Sequence, residues 1–344
     1  MHQINNQTPF QAAKAALVDK NGNQTWVVVV KATYVWNDEG LLKLAPEQEP
    51  VCPAPRYFGE PGQSSLLRDG EFVTEHPGTD ITLLGTAYAP RGNAVTSLLV
   101  TFQVGTVGKT LQVFGNRIWS RDGAAMSAPQ PFVEMPITYE RAYGGSDPAD
   151  VDPRHKEPRN PIGVGFASRV ELLAGKPLPN IEDPSALIRD WKTRPPPSGF
   201  GPIPPQWSPR VEYAGTFDDE WAQERMPLLP RDYDPRQTHS AHPDLVSPKP
   251  LQGGEDVVLR HLTPNGAMSF KLPRESLTLL TRLKSQRLLM KEQLDRVIVE
   301  PDARKLVMVW RASLNCKARV RDVIETRIDF KPRIVWERAA SGTR

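Results

Sequence analysis

Short runs of β-branched, aromatic and aliphatic residues alternate with turn residues near both ends of the chain. The run Trp26 to Trp36 is followed by the turn sequence Asn37-Asp38-Glu39-Gly40 and by a second run, Leu41 to Leu44. β-Branched and aromatic residues favour the pleated strand, whereas Asn, Asp and Gly favour the turn between two strands. The pattern therefore predicts an antiparallel hairpin in this region.

The same reasoning predicts further strands along the chain. They are Ile81–Tyr88, Ala94–Val107, Thr110–Trp119, Val257–Leu262, Met268–Leu272, Leu294–Val299 and Lys305–Ala312. Residues 277–290 are ambiguous, because their leucines fit a helical spacing as well as a partial alternation, and we predict strand there. Together these elements predict a mainly β fold, an antiparallel β-sandwich-like scaffold with few short helices.

A long central segment interrupts this strand pattern. Residues 146–250 hold 20 of the 35 prolines of the chain, and proline removes a backbone donor that a helix or sheet needs. The stretch 136–236 nevertheless keeps the large aromatic residues that disordered segments lack. These are Tyr139, Tyr143, Phe166, Trp191, Phe200, Trp207, Tyr213, Phe217 and Trp221. We predict a long, ordered, irregular insertion, a kind of segment that commonly carries function.

Neither an internal repeat nor a low-complexity linker divides the chain, so we predict a single domain over residues 1–344. Its parts are an N-terminal β-meander (1–135), the irregular central segment (136–250) and C-terminal hairpins that complete the scaffold (251–338).

One short helix is predicted inside the central segment. Thr216 is suited to cap its first turn, the acidic residues 218–220 favour its positive end, and Pro227 stops it. Trp221 and Arg225 then lie four residues apart on one face.

Charge and cysteine content narrow the class of protein. The net charge is only +3, but residues 256–344 carry 19 Lys and Arg against 10 Asp and Glu. These charges alternate with apolar residues, as in Arg319-Val320-Arg321, which is typical of the solvated face of strands, so no nucleic-acid partner is predicted. Cys52 and Cys316 are too far apart for a redox or zinc motif and are expected to be buried thiols.

The chain shows no membrane or secretion signal. Its longest strongly apolar run, Trp26 to Val30, is far shorter than the roughly 20 residues of a membrane helix. The first 20 residues lack the charged and apolar regions of a secretory signal. We therefore predict a cytoplasmic location and no membrane partner.

Candidate chemical groups are few. His239 and His242, with Asp232, Asp234 and Asp244 nearby, lack the spacing of a zinc motif and are interpreted as ordinary loop side chains. The glycines near residue 163 lack the rest of a dinucleotide-binding loop, and no G-x-S-x-G sequence occurs. We predict no catalytic site, no cofactor and no metal.

One alternative uses the acidic and aromatic residues of the central segment. Two carboxylates among Asp218, Asp219, Glu220 and Glu224 would supply glycosidase chemistry, and Trp191, Trp207 and Trp221 would form a sugar platform. This alternative is a β-sandwich carbohydrate-binding protein or glycoside-acting enzyme.

Several stretches of the central segment, in this order, resemble domain-of-unknown-function family 2169 (DUF2169), a bacterial family. They are Pro136-Ile137-Thr138-Tyr139-Glu140-Arg141-Ala142-Tyr143-Gly144-Gly145, Arg159-Asn160-Pro161-Ile162-Gly163-Val164-Gly165-Phe166, Leu178-Pro179-Asn180-Ile181-Glu182 and Gly199-Phe200-Gly201-Pro202-Ile203. Tyr213-Ala214-Gly215-Thr216, Pro227-Leu228-Leu229-Pro230, Leu251-Gln252-Gly253-Gly254-Glu255 and Val309-Trp310-Arg311-Ala312 extend the resemblance over nearly the whole chain.

The resemblance implies a binding function without catalysis. Members of this family are encoded in type VI secretion clusters and are thought to be effector adaptors or chaperones. They bind a toxic effector, often one with a PAAR-type tip or Rhs-like region, and help to load it onto the VgrG spike. On this basis the partner is expected to contact the exposed members of a set of five residues. The set is Arg141, Tyr143, Trp207, Trp221 and Arg225.

Overall fold

The chain folds mainly into β-strands, which confirms the predicted fold class. A computed structural model describes residues 3–121, 123, 125–147, 155–317 and 319–330. Residues 331–338 of the predicted C-terminal part lie outside the described residues.

Seven strands form the large sheet. Across the sheet they are β15 (Val246–Ser247), β7 (Thr79–Leu83), β20 (Glu292–Glu300), β21 (Lys305–Lys317), β3 (Gln24–Trp36) and β2 (Gln11–Val18), with β4 (Leu42–Leu44) also paired to β3. β7 and β20 run parallel, and the other neighbours are antiparallel. The large sheet therefore combines strands from all three parts of the chain.

Two further sheets complete the scaffold. The five-stranded sheet has the order β14 (Ile181–Glu182), β10 (Val107–Phe114), β9 (Ser97–Val104), β16 (Asp256–Arg260) and β17 (Ala267–Lys271). The four-stranded sheet has the order β1 (Gln3–Asn6), β22 (Val323–Phe330), β18 (Leu277–Leu283) and β19 (Arg287–Met290). β18 and β19 confirm the strand predicted over the ambiguous residues 277–290.

The remaining elements are short. Three two-stranded ribbons pair β8 (Thr86–Tyr88) with β11 (Glu134–Pro136), β12 (Tyr143–Gly144) with β13 (Val164–Gly165), and β5 (Arg56–Tyr57) with β6 (Leu66–Arg68). In the described part of the chain α1 (Asp219–Glu224) is the single α-helix. One-turn 3-10 helices cover Pro90–Gly92, Tyr139–Arg141, Val170–Leu173, Arg210–Tyr213, Pro235–Thr238, Pro243–Leu245, Pro301–Ala303 and Val320–Asp322.

Strand β3 explains how the layers are arranged, because both of its faces are buried. Trp26, Val28 and Val30 point into the main core, which they share with residues of the five-stranded sheet such as Phe102 and Leu259. Successive side chains of a strand point to opposite faces. Val27 and Val29 therefore lie on the outer face of the large sheet, in a small separate apolar cluster. The main core thus lies between the large and five-stranded sheets, as in a sandwich.

The outer face of the large sheet is covered by residues 49–74, and charged side chains lie beneath this cover. Arg296 of β20 donates to the backbone carbonyl oxygens of Asp69 and Gly70 at 3.1 and 2.7 Å. Arg311 of β21 donates to Asp295 at 2.6 Å. Alternating basic residues therefore do not always mark a solvated face here, although Arg319 and Arg321 are exposed as predicted.

One predicted strand is divided in two. Residues 81–88 were expected to be continuous, but β7 ends at Leu83 and β8 begins at Thr86. At the break, the N–H of Leu84 donates to Val299 at 3.0 Å, and the carbonyl of Gly85 accepts from Ile137 at 3.0 Å. The chain leaves the large sheet here and enters a separate two-stranded ribbon. The alternation of residues in this stretch does not indicate that break.

The irregular central segment has an apolar core of its own, which is the physical reason for its order. The members of this second core are Trp119, Tyr143, Phe166, Ala167, Leu173, Leu178 and Ile188. Asn160 adds a polar tie, because its amide Nδ2 donates to the carbonyl oxygens of Tyr139 and Tyr143 at 2.8 and 3.0 Å. At Gly145, φ is 102° and a Cβ would lie 2.6 Å from the carbonyl oxygen of Gly163, so glycine is required there.

Candidate functional site

Residues 213–234, which we call the lobe, surround α1 at one side of the molecule. Asp218 caps this helix, since its Oδ1 accepts from the N–H of Trp221 at 2.8 Å. The prediction that Thr216 is the cap is therefore wrong. Thr216 instead donates from its N–H and its hydroxyl to Asp232, at 3.0 and 2.8 Å. These two hydrogen bonds lower the pKa of the Asp232 carboxyl and join the two ends of the lobe.

The lobe is closed at its base and anchored to the scaffold. The N–H of Asp234 donates to the carbonyl of Tyr213 at 3.0 Å, so the two ends meet. Arg225 donates from Nε to the carbonyl of Leu229 at 2.9 Å, and from Nη2 to the carbonyl of Lys20 in the turn between β2 and β3. The guanidinium thus fixes both the internal shape of the lobe and its position on the large sheet.

Large apolar side chains lie exposed on this ordered lobe. Phe217 is 54% exposed and Met226 is 63% exposed. Both adjoin Trp221: the Phe217 and Trp221 ring centroids lie 4.7 Å apart in an edge-to-face arrangement, and the N–H of Met226 donates to the Trp221 carbonyl at 3.0 Å. The indole itself is half-buried, with its N–H donated to the carbonyl of Leu228 at 2.9 Å.

Carboxylates line a pocket of the same lobe. A pocket of about 300 Å³ beside Trp221 is lined by acidic residues that include Glu220 and Glu224, together with Arg225 and Arg231. Glu224 lies 3.8 Å from Arg231, and both side chains are largely exposed. An apolar surface with an acidic rim is suited to bind a basic and apolar segment of another protein.

The five residues predicted to contact a partner do not form one surface. Trp221 and Arg225 line the same pocket in the lobe, as their helical spacing predicts. Trp207 is buried in the main core, where its ring packs edge-to-face on Tyr139 at 5.8 Å. Tyr143 is buried in the second core, and Arg141 is half-buried and donates to Asn180 at 3.1 Å.

Sequence reasoning missed Phe217 and Met226 as partner-binding candidates. Their exposure results from the way the lobe folds on itself and leaves no signal in the sequence. The neighbouring prolines and acidic residues nevertheless gave the correct position of the helix.

A second concave surface follows the stretches that carry the family resemblance. This groove, of about 310 Å³, is lined by parts of Pro136–Tyr139 and Gly199–Pro202 and by the exposed ring of Phe58. Its polar edge includes Asp302, which accepts from Thr86 and Tyr88 at 2.8 and 2.9 Å. These stretches of sequence meet in space although they are about 60 residues apart.

The loop histidines have different partners. His242 lies 3.5 Å from Asp244, which pairs with the buried Lys109 at 2.7 Å. Burial and the charge of Lys109 lower the pKa of His242 to about 4. His239 instead contacts Asp80 of β7 at 2.7 Å, a residue that no spacing in the sequence connects with it.

Some residues of the carbohydrate alternative have other roles in the structure. Asp218 is the helix cap, Trp207 is buried, and Trp191 packs against the second core. Glu220 and Glu224 line one pocket together with Trp221.

Within the described residues, no helix has the length and apolar character needed to cross a membrane.

The comparisons with known proteins identify a family only. The family described as "Uncharacterized protein conserved in bacteria (DUF2169)" matches residues 21–311. No curated protein and no solved structure matches the chain.

Proposed function

Because the chain belongs to the DUF2169 family, we propose that it is a non-catalytic adaptor that binds a type VI secretion effector and promotes its loading onto the VgrG spike. The resemblance described above supplies the system and the partner class, an effector with a PAAR-type or Rhs-like region. The lobe is the proposed contact surface. The lobe binds the effector, and the protein acts in the cytoplasm before the effector is secreted.

One observation carries the choice of surface. Phe217 and Met226 are more than half exposed, yet they belong to a segment held by the Arg225 anchor and the Thr216 hydrogen bonds to Asp232. Exposed apolar residues that adjoin one another on an ordered surface are typical of binding sites, whereas apolar residues exposed singly are ordinary. Such a surface loses little conformational entropy when a partner docks.

The acidic rim indicates the chemistry of the segment that binds. Glu220 and Glu224 line the pocket beside Trp221, and both are exposed, as is Asp219 at the start of the helix. The effector segment is therefore expected to present an apolar residue flanked by Lys or Arg. Such an interaction associates faster at low salt, because the charges at the rim steer the encounter.

Co-purification tests the proposal. The full-length chain is co-expressed with the effector encoded beside it, and the complex is captured through a tag on the effector. We expect the wild-type chain to be captured and the double variant Phe217→Ala/Met226→Ser to bind at least about tenfold more weakly, since central apolar anchors carry most interface energy. Deletion of the chain is expected to reduce secretion of that effector.

A matched control uses two apolar residues elsewhere on the surface that are at least as exposed as Phe217 and Met226. Leu41 and Leu289 are 66% and 69% exposed, and the variant Leu41→Ala/Leu289→Ala is expected to bind like the wild type. Full binding by the lobe variant would place the contact surface elsewhere. Failure of the wild-type chain to co-purify with the effector, combined with unchanged secretion after its deletion, would refute the adaptor function itself.

A further inference from the structure

Two side chains at the start of β7 meet a third from a distant part of the chain at the edge of the large sheet. His76 precedes β7, Asp80 lies within β7, and His239 follows the 3-10 turn Pro235–Thr238. Asp80 Oδ1 lies 2.7 Å from His239 Nδ1 and 3.5 Å from His76 Nε2. One ligand atom from each residue lies within 4.8 Å of the others.

The hydrogen bonds around His76 determine which of its two ring nitrogens carries the proton. The other nitrogen presents its lone pair to the Asp80 carboxylate. The hydroxyl of Thr238 donates its only proton to the carbonyl of Pro235 at 2.7 Å. Its oxygen must therefore accept from Nδ1 of His76, 3.0 Å away. A neutral imidazole that is protonated at Nδ1 carries its lone pair at Nε2.

This Nε2 atom is buried and has no hydrogen-bond partner. It faces Asp80 Oδ1, which is also an acceptor, and a cation between two buried acceptors removes the energetic cost of leaving them opposed. A proton on Nε2 would form a hydrogen bond of about 2.7 to 3.2 Å. The 3.5 Å separation is too long for this bond and is close to the roughly 3.3 Å between ligand atoms of a tetrahedral metal ion. The 2.7 Å between Asp80 Oδ1 and His239 Nδ1 is a hydrogen-bond distance, so an ion bound by both atoms would replace the proton between them and move them apart by about 0.6 Å.

The carboxylate is also held in the orientation that a ligand needs. Asp80 Oδ2 accepts from the N–H groups of Ser240 and Ala241 at 2.6 and 3.2 Å, and from the Ser240 hydroxyl at 3.1 Å. Oδ1 is thereby directed to the two histidines. Outer hydrogen bonds of this type, to both carboxylate and imidazole, orient the ligands of metal sites.

The geometry points to a site for a divalent transition-metal ion of the zinc class, with His76 Nε2, Asp80 Oδ1 and His239 Nδ1 as its three protein ligands. Imidazole and carboxylate donors suit this class of ion, and a three-ligand set leaves a fourth position to water. Cavities of about 350 and 440 Å³ adjoin the cluster, the first lined in part by His239 and the second in part by His76.

The neighbouring charged groups already have partners. Asp295 is paired with Arg311 at 2.6 Å, and Arg296 donates to two backbone carbonyl groups of the cover at 3.1 and 2.7 Å. The ion would connect β7 with the segment that follows Pro235–Thr238. It would thus join the end of the irregular central segment to the edge of the large sheet.

Metal titration of the untagged full-length protein tests the site. After removal of metal with a chelator, Zn²⁺ binding is measured by calorimetry, and Co²⁺ serves as a spectroscopic probe of coordination. We expect one equivalent to bind per chain, with a Co²⁺ absorption spectrum typical of four-coordinate nitrogen and oxygen ligation. Zn²⁺ is also expected to raise the unfolding temperature.

Variants locate the binding. His76→Gln and His239→Gln are expected to weaken Zn²⁺ binding by about 100-fold or more, whereas His242→Gln, three residues from His239, keeps the wild-type affinity. If the His76→Gln variant does not fold, the His239→Gln variant, whose side chain is less buried, and the Co²⁺ spectrum of the wild type still test the site. Absence of one-to-one binding to the wild-type chain, or equal affinity in the His239→Gln variant, would overturn the proposal.

Discussion

Lys31 and Glu71 form an ion pair that is shut off from solvent on the outer face of the large sheet, with Nζ 2.8 Å from Oε1. Glu49 also contacts the ammonium group at 3.0 Å, and the carbonyl of Pro50 accepts from it at 3.1 Å. One buried cation thereby connects β3 to the segment that covers it.

The Lys31→Met variant is expected to be destabilised by about 3 to 5 kcal/mol, because Glu71 would remain buried without a counter-charge. Urea unfolding followed by tryptophan fluorescence measures this loss. The control is Lys271→Met, which breaks an ion pair with Asp256 in which both side chains are more than two-thirds exposed and is expected to change stability by less than about 1 kcal/mol. Equal effects of the two substitutions would contradict this account of Lys31.

The Arg225→Ala variant is expected to loosen the lobe without unfolding the scaffold. The guanidinium donates to the carbonyls of Leu229 and Lys20, so its loss removes the link between the lobe and the turn after β2. Hydrogen exchange should become faster in residues 213–234 and stay unchanged in β3 and β21. Arg231→Ala is the control, since its side chain is 75% exposed; protection of the lobe that is the same in both variants would show that Arg225 is not the anchor.

The Asn160→Ala variant is expected to lower the free energy of unfolding by about 1 to 3 kcal/mol, because one buried polar group left unpaired costs that much. Its Nδ2 donates to the carbonyls of Tyr139 and Tyr143, and the Tyr139 carbonyl keeps the N–H of Ala142 as a second donor, so the Tyr143 carbonyl is the group that loses its partner. Equilibrium unfolding compares this variant with Asn93→Ala, whose side chain is exposed. A loss below about 1 kcal/mol would mean that water replaces the amide.

His242 predicts a pH dependence of stability. Its pKa is about 4 in the folded protein and about 6.5 in the unfolded chain. Below pH 6.5 the unfolded chain therefore binds a proton that the folded protein does not take up until near pH 4, and stability falls as the pH falls. This residue alone lowers the free energy of unfolding by about 2 kcal/mol between pH 7 and pH 5.

Urea unfolding at both pH values measures that difference. The His242→Gln variant is expected to lose about 2 kcal/mol less than the wild type over this interval. An identical pH dependence in the two proteins would show that His242 does not titrate as a buried neutral group.

The strands were predictable because their side chains carry a local periodic signal. β3, β21 and β16 follow runs that are rich in β-branched, aromatic or aliphatic residues. The parallel pairing of β7 with β20 was not predictable. Arg296 lies opposite Asp80, more than half of the chain away, and the sequence of neither strand indicates which strand it pairs with.

The candidate sites show the same limit. The lobe helix was predicted because its cap and stop signals are local, although the cap is Asp218 and not Thr216. His239 was noticed, but its partner Asp80 lies 159 positions away. Local spacing therefore pointed to His242, which has a different environment.

The closed base of the lobe has a consequence for how this segment can be exchanged. Because Asp234 and Tyr213 meet through a backbone hydrogen bond of 3.0 Å, the 20 residues between them leave and re-enter the scaffold at the same place. A grafted segment that keeps an arginine at position 225, where the side chain donates to the Lys20 carbonyl, is therefore expected to dock without redesign of the sheets.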